Sequence, residues 1–310
     1  MAHAGDSCFM KIRYIVQLLL LSAVWGVSFL MIRIADLAFP PVWVGLLRCI
    51  TGATLLWGVL VFGGYKLPPR RLIFWLLLVA LTNNALPFSF FAWGERIVPS
   101  NTAAVLNSTT PIWTLLLSLA VTTNRPSRNT IVGVILGFSG VGLAVNFRSS
   151  GETAVGEHGH VLWGVFVIAL GALGYAIATV IAKTKLRGLD PIGLATTQLS
   201  LAALMLMPIA FLGPHPSHIH LPSVLAILVL GFAGSGIAYL LYYNLLVHIS
   251  ATQVIAVTYL LPLWGIFWGS VAHEATTPFA YIGVAVVIAG LLLINQPVTP
   301  KAISAEASGD

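Results

Sequence analysis

The chain has 310 residues, of which 58% are hydrophobic, and its 15 Lys and Arg against 9 Asp and Glu give a formal net charge of +6. Charged residues make up 8% of the sequence, whereas about 25% is usual in a soluble domain, so an ordinary soluble enzyme is excluded. The two cysteines are too few for a disulfide framework, and the scattered basic residues argue against a nucleic-acid partner.

Apolar segments of about 17–25 residues, each long enough to cross ~30 Å of hydrocarbon as a helix, follow one another along the chain. Proline, glycine and basic residues separate them, as in Phe39-Pro40-Pro41. The sequence therefore predicts an all-α integral membrane protein with ten transmembrane helices. They are expected over residues 13–33, 41–63, 72–94, 99–121, 129–147, 160–182, 191–212, 222–246, 252–272 and 278–296.

The basic residues predict the orientation of these helices. With the N-terminus in the cytoplasm, eleven Lys and Arg fall in inner segments and only Arg33, Arg96 and Arg148 fall outside. The first apolar run, at about 20 residues, is longer than the core of a signal peptide, so we expect it to be retained. Both termini are therefore predicted to be cytoplasmic, in what we expect to be a bacterial inner membrane.

The two halves of the sequence repeat each other at an offset of about 150 residues. Pro41 to Arg48 matches Pro191 to Gln198, and prolines recur at Pro111 and Pro262. Because each half holds five helices, an odd number, the second must enter the membrane from the opposite side, which gives two inverted repeats. The predicted organisation is a cytoplasmic tail over 1–12, a first five-helix repeat over 13–147, a connecting loop over 148–159, a second repeat over 160–296 and a cytoplasmic tail over 297–310.

These features resemble the drug/metabolite transporter superfamily, specifically its ten-helix EamA-type members. The resemblance is carried by Trp25-Gly26-Val27-Ser28-Phe29, by Pro41 followed by Arg48, and by the proline-containing fourth and ninth spans, and it covers about residues 13–296. It implies a transporter with a central cavity between the two halves, often an exporter of amino acids, including aromatic ones, or of related metabolites.

Polar and aromatic groups inside the predicted spans are the candidates for contact with a solute. Arg48 lies roughly 10 Å deep, where a charge needs a polar cavity or a partner, so it can attract a substrate carboxylate or tie helices together. Asn83 and Asn84 precede Pro87, which frees a backbone carbonyl, and they can contact substrate or clasp two helices. The substrate-binding residues predicted from the sequence are Trp25, Arg48, Asn83, Asn84, Asn107, Tyr175, Tyr239 and Tyr259.

Other polar residues receive structural interpretations. Glu95, Arg96 and Glu274 are expected at outer helix ends as solvated interface charges. No acidic residue lies deep in a predicted span, which favours a uniporter or an exchanger and leaves ion coupling open. The histidines near 158–160 and 215–220 are interpreted as solvated loops, so no metal or cofactor is expected. The glycines of spans five and ten predict close helix packing, within one chain or in a dimer, and the oligomeric state stays open.

The predicted function is export of a small metabolite, with neutral or aromatic amino acids first, by alternating access. One alternative is another solute, such as a drug, a nucleotide sugar or a sugar phosphate, although phosphates would be expected to recruit several buried Lys or Arg. A membrane-embedded lipid-modifying enzyme is a weaker alternative, because no nucleophile elbow or phosphate loop is found. The expected partners are a small-molecule solute and membrane lipid, and the protein is not expected to be an enzyme.

Overall fold

The protein is described by a computed structural model over residues 4–121, 127–145, 155–248, 257–274 and 276–294. Every regular element in these ranges is helical. Seven helical segments are long and apolar enough to cross a membrane, and three shorter apolar helices, Arg128–Ala144, Leu260–Val271 and Pro278–Leu293, accompany them. The all-helical fold is confirmed, whereas the count of ten spans stays a prediction.

Besides a 3-10 helix at Arg70–Leu72, the described part of the first half of the chain forms seven α-helices and one π-helical segment. They are α1 (Ala4–Ala35), α2 (Pro41–Gly63), α3 (Ile73–Ala80), the first π segment (Leu81–Ala85), α4 (Leu86–Glu95), α5 (Ser100–Asn107), α6 (Thr110–Val121) and α7 (Arg128–Val145). The third predicted span is thus α3, the first π segment and α4 in succession, because Pro87 lacks the N–H that would continue an α-helical ladder through this turn.

The second half has a similar order. It comprises α8 (Val155–Lys185), α9 (Pro191–Leu212), α10 (Leu221–Leu228), the second π segment (Val229–Ile237), α11 (Ala238–His248), α12 (Val257–Val271) and α13 (Pro278–Ile294). The second π segment includes the residues that match the first at the repeat offset of 150. The same irregularity therefore occurs at equivalent positions of the two halves.

The fourth predicted span is interrupted between α5 and α6, just before Pro111. The hydroxyls of Ser108, Thr109 and Thr110 donate to the carbonyls of Val105, Leu106 and Asn107 at 2.6, 2.6 and 2.7 Å. These side chains satisfy carbonyls at a helix end where backbone donors are missing. In the second half, Pro262 lies inside the continuous helix α12.

Two close helix contacts join the halves. The second π segment packs on α2, and a Cβ added at Gly231 would collide with Thr51, so the absence of a side chain at Gly231 allows this close approach. Helices α7 and α13 cross at Gly140 and Gly283, where a Cβ on Gly140 would lie 2.6 Å from the carbonyl oxygen of Gly283. The small residues of spans five and ten therefore pack against each other within one chain.

Candidate functional site

Arg48, on α2, is buried between the two halves of the chain, with 7% of its surface exposed. Its Nε donates to Ser235 Oγ at 3.0 Å, and its Nη2 donates to the carbonyl oxygen of Gly234 at 3.4 Å, both in the second π segment. Its Cζ lies 4.0 Å from the ring centre of Phe88 on α4. A buried guanidinium is thus held by one hydroxyl, one carbonyl and one aromatic face, with no carboxylate in direct contact among the described residues.

The asparagine pair of the first π segment faces α9 and α11. Asn83 Nδ2 donates to Gln198 Oε1 at 3.1 Å and to the Tyr239 hydroxyl at 3.2 Å, and Asn84 Nδ2 donates to the same hydroxyl at 3.1 Å. Asn84 is fully buried, and its Oδ1 has no hydrogen-bond partner in the described part of the chain. The cluster therefore keeps an unused acceptor, which is costly to bury unless a ligand or water meets it.

The two groups of contacts are related by the sequence repeat. Gln198 occupies the position in the second half that Arg48 occupies in the first, and Ser235 similarly matches Ala85. Arg48 of α2 bonds to the second π segment, whereas Gln198 of α9 bonds to the first. One arrangement is thus used twice, with a cationic side chain in one copy and a neutral amide in the other. We call Arg48, Asn83, Asn84, Gln198, Ser235 and Tyr239 the central cluster.

The remaining predicted residues lie in different surroundings. Tyr175 on α8 is close enough to Arg48 for an electrostatic interaction, and its ring centre lies 6.0 Å from that of Phe91. Trp25 packs beside Tyr242 in an apolar cluster of α1 and α11, with ring centres 5.9 Å apart. Asn107 ends α5, with its Oδ1 buried and without a partner in the described residues. The side chain of Tyr259 lies outside the described part.

Among the side chains in contact with Arg48 or Asn83, three were not sequence candidates, namely Phe88, Gln198 and Ser235. The repeat contained the signal for Gln198, since it aligns with Arg48. Ser235 lies in the glycine-rich counterpart of the asparagine pair, a stretch whose sequence indicates close packing or a hinge rather than contact with a solute. Phe88 carried no signal, because a phenylalanine in an apolar span is indistinguishable from ordinary core.

Charged residues gather at the end of the bundle that the sequence predicts to be outside. Arg96 pairs with Asp36, with Nε and Oδ1 3.5 Å apart, and it also donates to the Phe39 carbonyl at 3.0 Å. Glu95 is 3% exposed, and neither of its carboxylate oxygens has a hydrogen-bond partner in the described ranges. The expectation of a solvated interface charge is therefore wrong for Glu95, whereas the Arg96 side chain is 42% exposed, because consecutive residues on a helix point in different directions.

The expectation of a solvated Glu274 is also wrong: this residue follows α12 at the same end, and its side chain is 5% exposed. It accepts from the backbone N–H groups of Ser100 and Asn101 at 3.1 and 3.2 Å, and its Oε1 lies 3.5 Å from Arg33 Nε. A carboxylate from the second half therefore caps the N-terminus of α5 in the first. No group of three or more His, Cys, Asp or Glu in the described residues is placed to hold a metal ion.

Replacing Glu274 with alanine is expected to lower the free energy of unfolding by about 1–2 kcal/mol, since it removes a helix cap and leaves two N–H groups unsatisfied. Thermal unfolding of the purified protein in detergent measures the loss. Glu274→Gln keeps one acceptor oxygen and should show a smaller decrease. Equal stability of wild type and Glu274→Ala would contradict the capping role.

A cavity of about 400 Å³ opens elsewhere, where the start of α2, the end of α4 and the end of α9 meet. Pro41, Trp93, Ile209 and Pro214 are among its apolar walls, and Arg96 is its one charged lining residue. None of the central-cluster residues lines it. In this structure the central cluster is instead closed, with its side chains bonded to one another.

Comparison with known sequences matches each half of the chain separately. The sequence model of the EamA-like transporter family matches residues 12–146 and again residues 162–296. A solved crystal structure shares the fold with a TM-score of 0.66 at 16% identity, over 91% of this chain and 96% of that one.

Relatives of similar length occur in bacteria and archaea. The uncharacterized inner membrane transporter YedA of Escherichia coli is 26% identical, over 88% of this chain and 87% of its own. The uncharacterized transporter YvbV of Bacillus subtilis is 25% identical over 96% of both chains. An uncharacterized transporter of Archaeoglobus fulgidus is 26% identical, over 87% of this chain and 93% of its own.

Proposed function

The chain belongs to the EamA-like transporter family, and we propose that this membrane transporter exports a small neutral or zwitterionic metabolite, with neutral and aromatic amino acids as the first candidates. The proposal includes alternating access between two inverted five-helix repeats, with both chain termini in the cytoplasm. Its central support is the position of the central cluster at the interface between the halves.

The five hydrogen bonds described above for the side chains of Arg48, Asn83 and Asn84 all cross from the first half to the second. A rocking movement of one half against the other has to break these bonds. A solute that supplies equivalent groups can replace them, so its binding offsets the cost of opening the interface. The repeated pairing of α2 and α9 with the opposite π segment supports the inverted arrangement.

The chemistry of the central cluster favours an amino acid over the alternatives. Arg48 offers a guanidinium for one carboxylate, while the Oδ1 of Asn84 offers an acceptor for an ammonium group. Phe88 places an aromatic ring 4.0 Å from the Arg48 Cζ. A sugar phosphate or nucleotide sugar would carry more negative charge than one arginine can balance, and a cationic drug would lack a carboxylate partner among the central-cluster residues.

The direct test is counterflow in proteoliposomes. Vesicles that contain the purified protein are loaded with each of the twenty amino acids in turn, and uptake of the radiolabelled form is compared with empty vesicles. We expect exchange of at least one neutral or aromatic amino acid. Exchange of sugar phosphates or cationic drugs but of no amino acid would overturn the substrate assignment.

A variant of α9 tests the central cluster itself. Gln198→Leu removes the amide that bonds to Asn83 Nδ2 in the closed cluster and that a bound solute would engage instead. Loss of one such hydrogen bond to the solute, about 1–1.5 kcal/mol, is expected to lower transport about tenfold. Ser200→Ala is the matched control, because Ser200 lies on the same helix and accepts from Trp57 Nε1 at 3.0 Å, outside the central cluster. Equal rates in the two variants would contradict a role for Gln198 in transport.

A further inference from the structure

Glu95 is the one carboxylate of the predicted outer end without a cation of its own in the described part of the chain. Arg96 is paired with Asp36, and Arg33 is paired with Glu274. Arg48 of α2 also interacts electrostatically with Glu95, but the hydrogen bonds of its guanidinium go to Ser235 and Gly234. Three carboxylates at this end therefore share two arginines.

The surroundings of Glu95 do not solvate a charge. It is 3% exposed, and both oxygens lack a hydrogen-bond partner among the described residues. Helix α8 packs on this turn through Gly164 and Ile168, which contact Gly94, and the nearest histidine of α8, His160, is exposed. A carboxylate buried without a hydrogen bond or a paired cation costs several kcal/mol, and a neutral carboxyl group avoids most of this cost.

We propose that Glu95 is a proton-binding site, and that the outer end of the protein closes with a proton on Glu95 and opens with its release to solvent. A metal ion is a poorer occupant, because no group of three acidic, His or Cys ligands is placed to hold one in the described ranges. The proposal makes the proton a coupling ion, and only this consequence for transport rests on the proposed function.

Asp36 is the other acidic group whose titration the experiment must distinguish from that of Glu95. Burial raises the pKa of Asp36 to about 8, although Arg96 acts in the opposite direction. The neutral form of Asp36 stabilises the closed state. This stabilisation is complete below the ordinary pKa of 3.8 and is lost as the pH rises through about 8. The test therefore uses Asp36→Asn as its background, which removes the titration of Asp36 and leaves that of Glu95 to be tested by Glu95→Gln.

The experiment measures opening of the outer end as the alkylation rate of a buried cysteine. Cys8 and Cys49 are replaced by serine, and Ser100, which is 1% exposed and whose N–H is bonded to Glu274, becomes the reporter Ser100→Cys. Leu37→Cys, at a position 69% exposed in the turn after α1, provides the reference rate in a parallel protein. The ratio of the two maleimide rates, measured in detergent between pH 6 and 9, cancels the pH dependence of the thiol itself.

In the Asp36→Asn background we expect the ratio of the two maleimide rates to rise with pH. If opening releases one proton, the rise is up to about tenfold for each pH unit. Adding Glu95→Gln, which imitates the protonated form, should leave the ratio low and independent of pH. A pH dependence that survives in Asp36→Asn/Glu95→Gln, or that is absent from Asp36→Asn alone, overturns the proposal. A ratio that follows sodium concentration at fixed pH overturns it in favour of a cation site.

This experiment needs neither a membrane nor a solute. Its failure would leave the proposed transport of an amino acid standing, and a negative counterflow assay would leave the proton site standing. Thermal unfolding of both variants shows whether the outer end still folds before the rates are compared. If the Ser100→Cys reporter in Glu95→Gln reacts as fast as the Leu37→Cys reference at every pH, the proposal is also contradicted, since the neutral side chain should hold the end closed.

Discussion

Replacing Arg48 with glutamine is expected to reduce amino-acid exchange about a hundredfold while the protein stays folded. The substitution removes the charge that we propose for the substrate carboxylate, and a hydrogen bond between charged groups contributes about 1.5–3 kcal/mol, of which about 1.4 kcal/mol corresponds to a factor of ten. Counterflow at saturating and limiting solute measures whether the loss lies in affinity or in rate.

Glutamine is a suitable replacement because Gln198 already occupies the equivalent position of the second half. Ser235 keeps a second contact, from its Oγ to the Leu230 carbonyl at 3.3 Å, so its hydroxyl is not orphaned. Arg48→Lys retains a positive charge without the planar guanidinium group, so its exchange rate should lie between those of the wild type and Arg48→Gln. If Arg48→Gln transports normally, Arg48 only holds helices together; if it unfolds, Arg48→Lys decides whether charge or packing was lost.

Gly140→Ala is expected to destabilise the protein by about 2 kcal/mol and to lower its melting temperature in detergent by about 5 °C. The added Cβ would lie 2.6 Å from the carbonyl oxygen of Gly283 and 2.6 Å from the backbone nitrogen of Val287. Backbone atoms cannot move aside as a flexible side chain can, so α7 and α13 must separate. Thermal unfolding followed by circular dichroism measures the change.

Gly142→Ala is the matched control on the same helix. A Cβ at Gly142 meets nothing within 4 Å, and alanine is a better helix former by about 1 kcal/mol, so this variant should be as stable as the wild type or more stable. A similar loss of stability in Gly140→Ala and Gly142→Ala would show that the contact between α7 and α13 is not the reason why glycine is needed at these positions.

Much of the architecture could be predicted from patterns that repeat along the sequence. Span length and hydrophobicity predicted an all-helical membrane protein, and the match of Pro41–Arg48 to Pro191–Gln198 anticipated a family model that fits each half. The glycines at 133, 140, 283 and 290 predicted close packing, which the structure places between α7 and α13. These features depend on residue type and spacing, which a sequence contains directly.

The site was harder to predict, since it depends on which faces of distant helices meet. Arg48 and the asparagine pair were identified as polar groups in apolar spans, but their partners Ser235 and Gln198 became visible only when the halves were assembled. The burial of Glu95 was missed for a similar reason. Its position at a helix end indicated solvent, whereas Gly164 and Ile168 of α8 pack against the neighbouring Gly94 and Glu95 is 3% exposed. Whether the central residues bind substrate stays a prediction.

The crossing of α7 and α13 also limits how the two halves can rearrange. At this point the backbones of Gly140 and Gly283 touch, and residues with side chains follow on both helices, so sliding either helix along its axis would drive a side chain into the opposing main chain. If the halves rock as we propose, we expect this crossing to keep the axial register of α7 and α13 and to serve as the pivot of the rotation. Residues far from this crossing would then move farther than residues close to it.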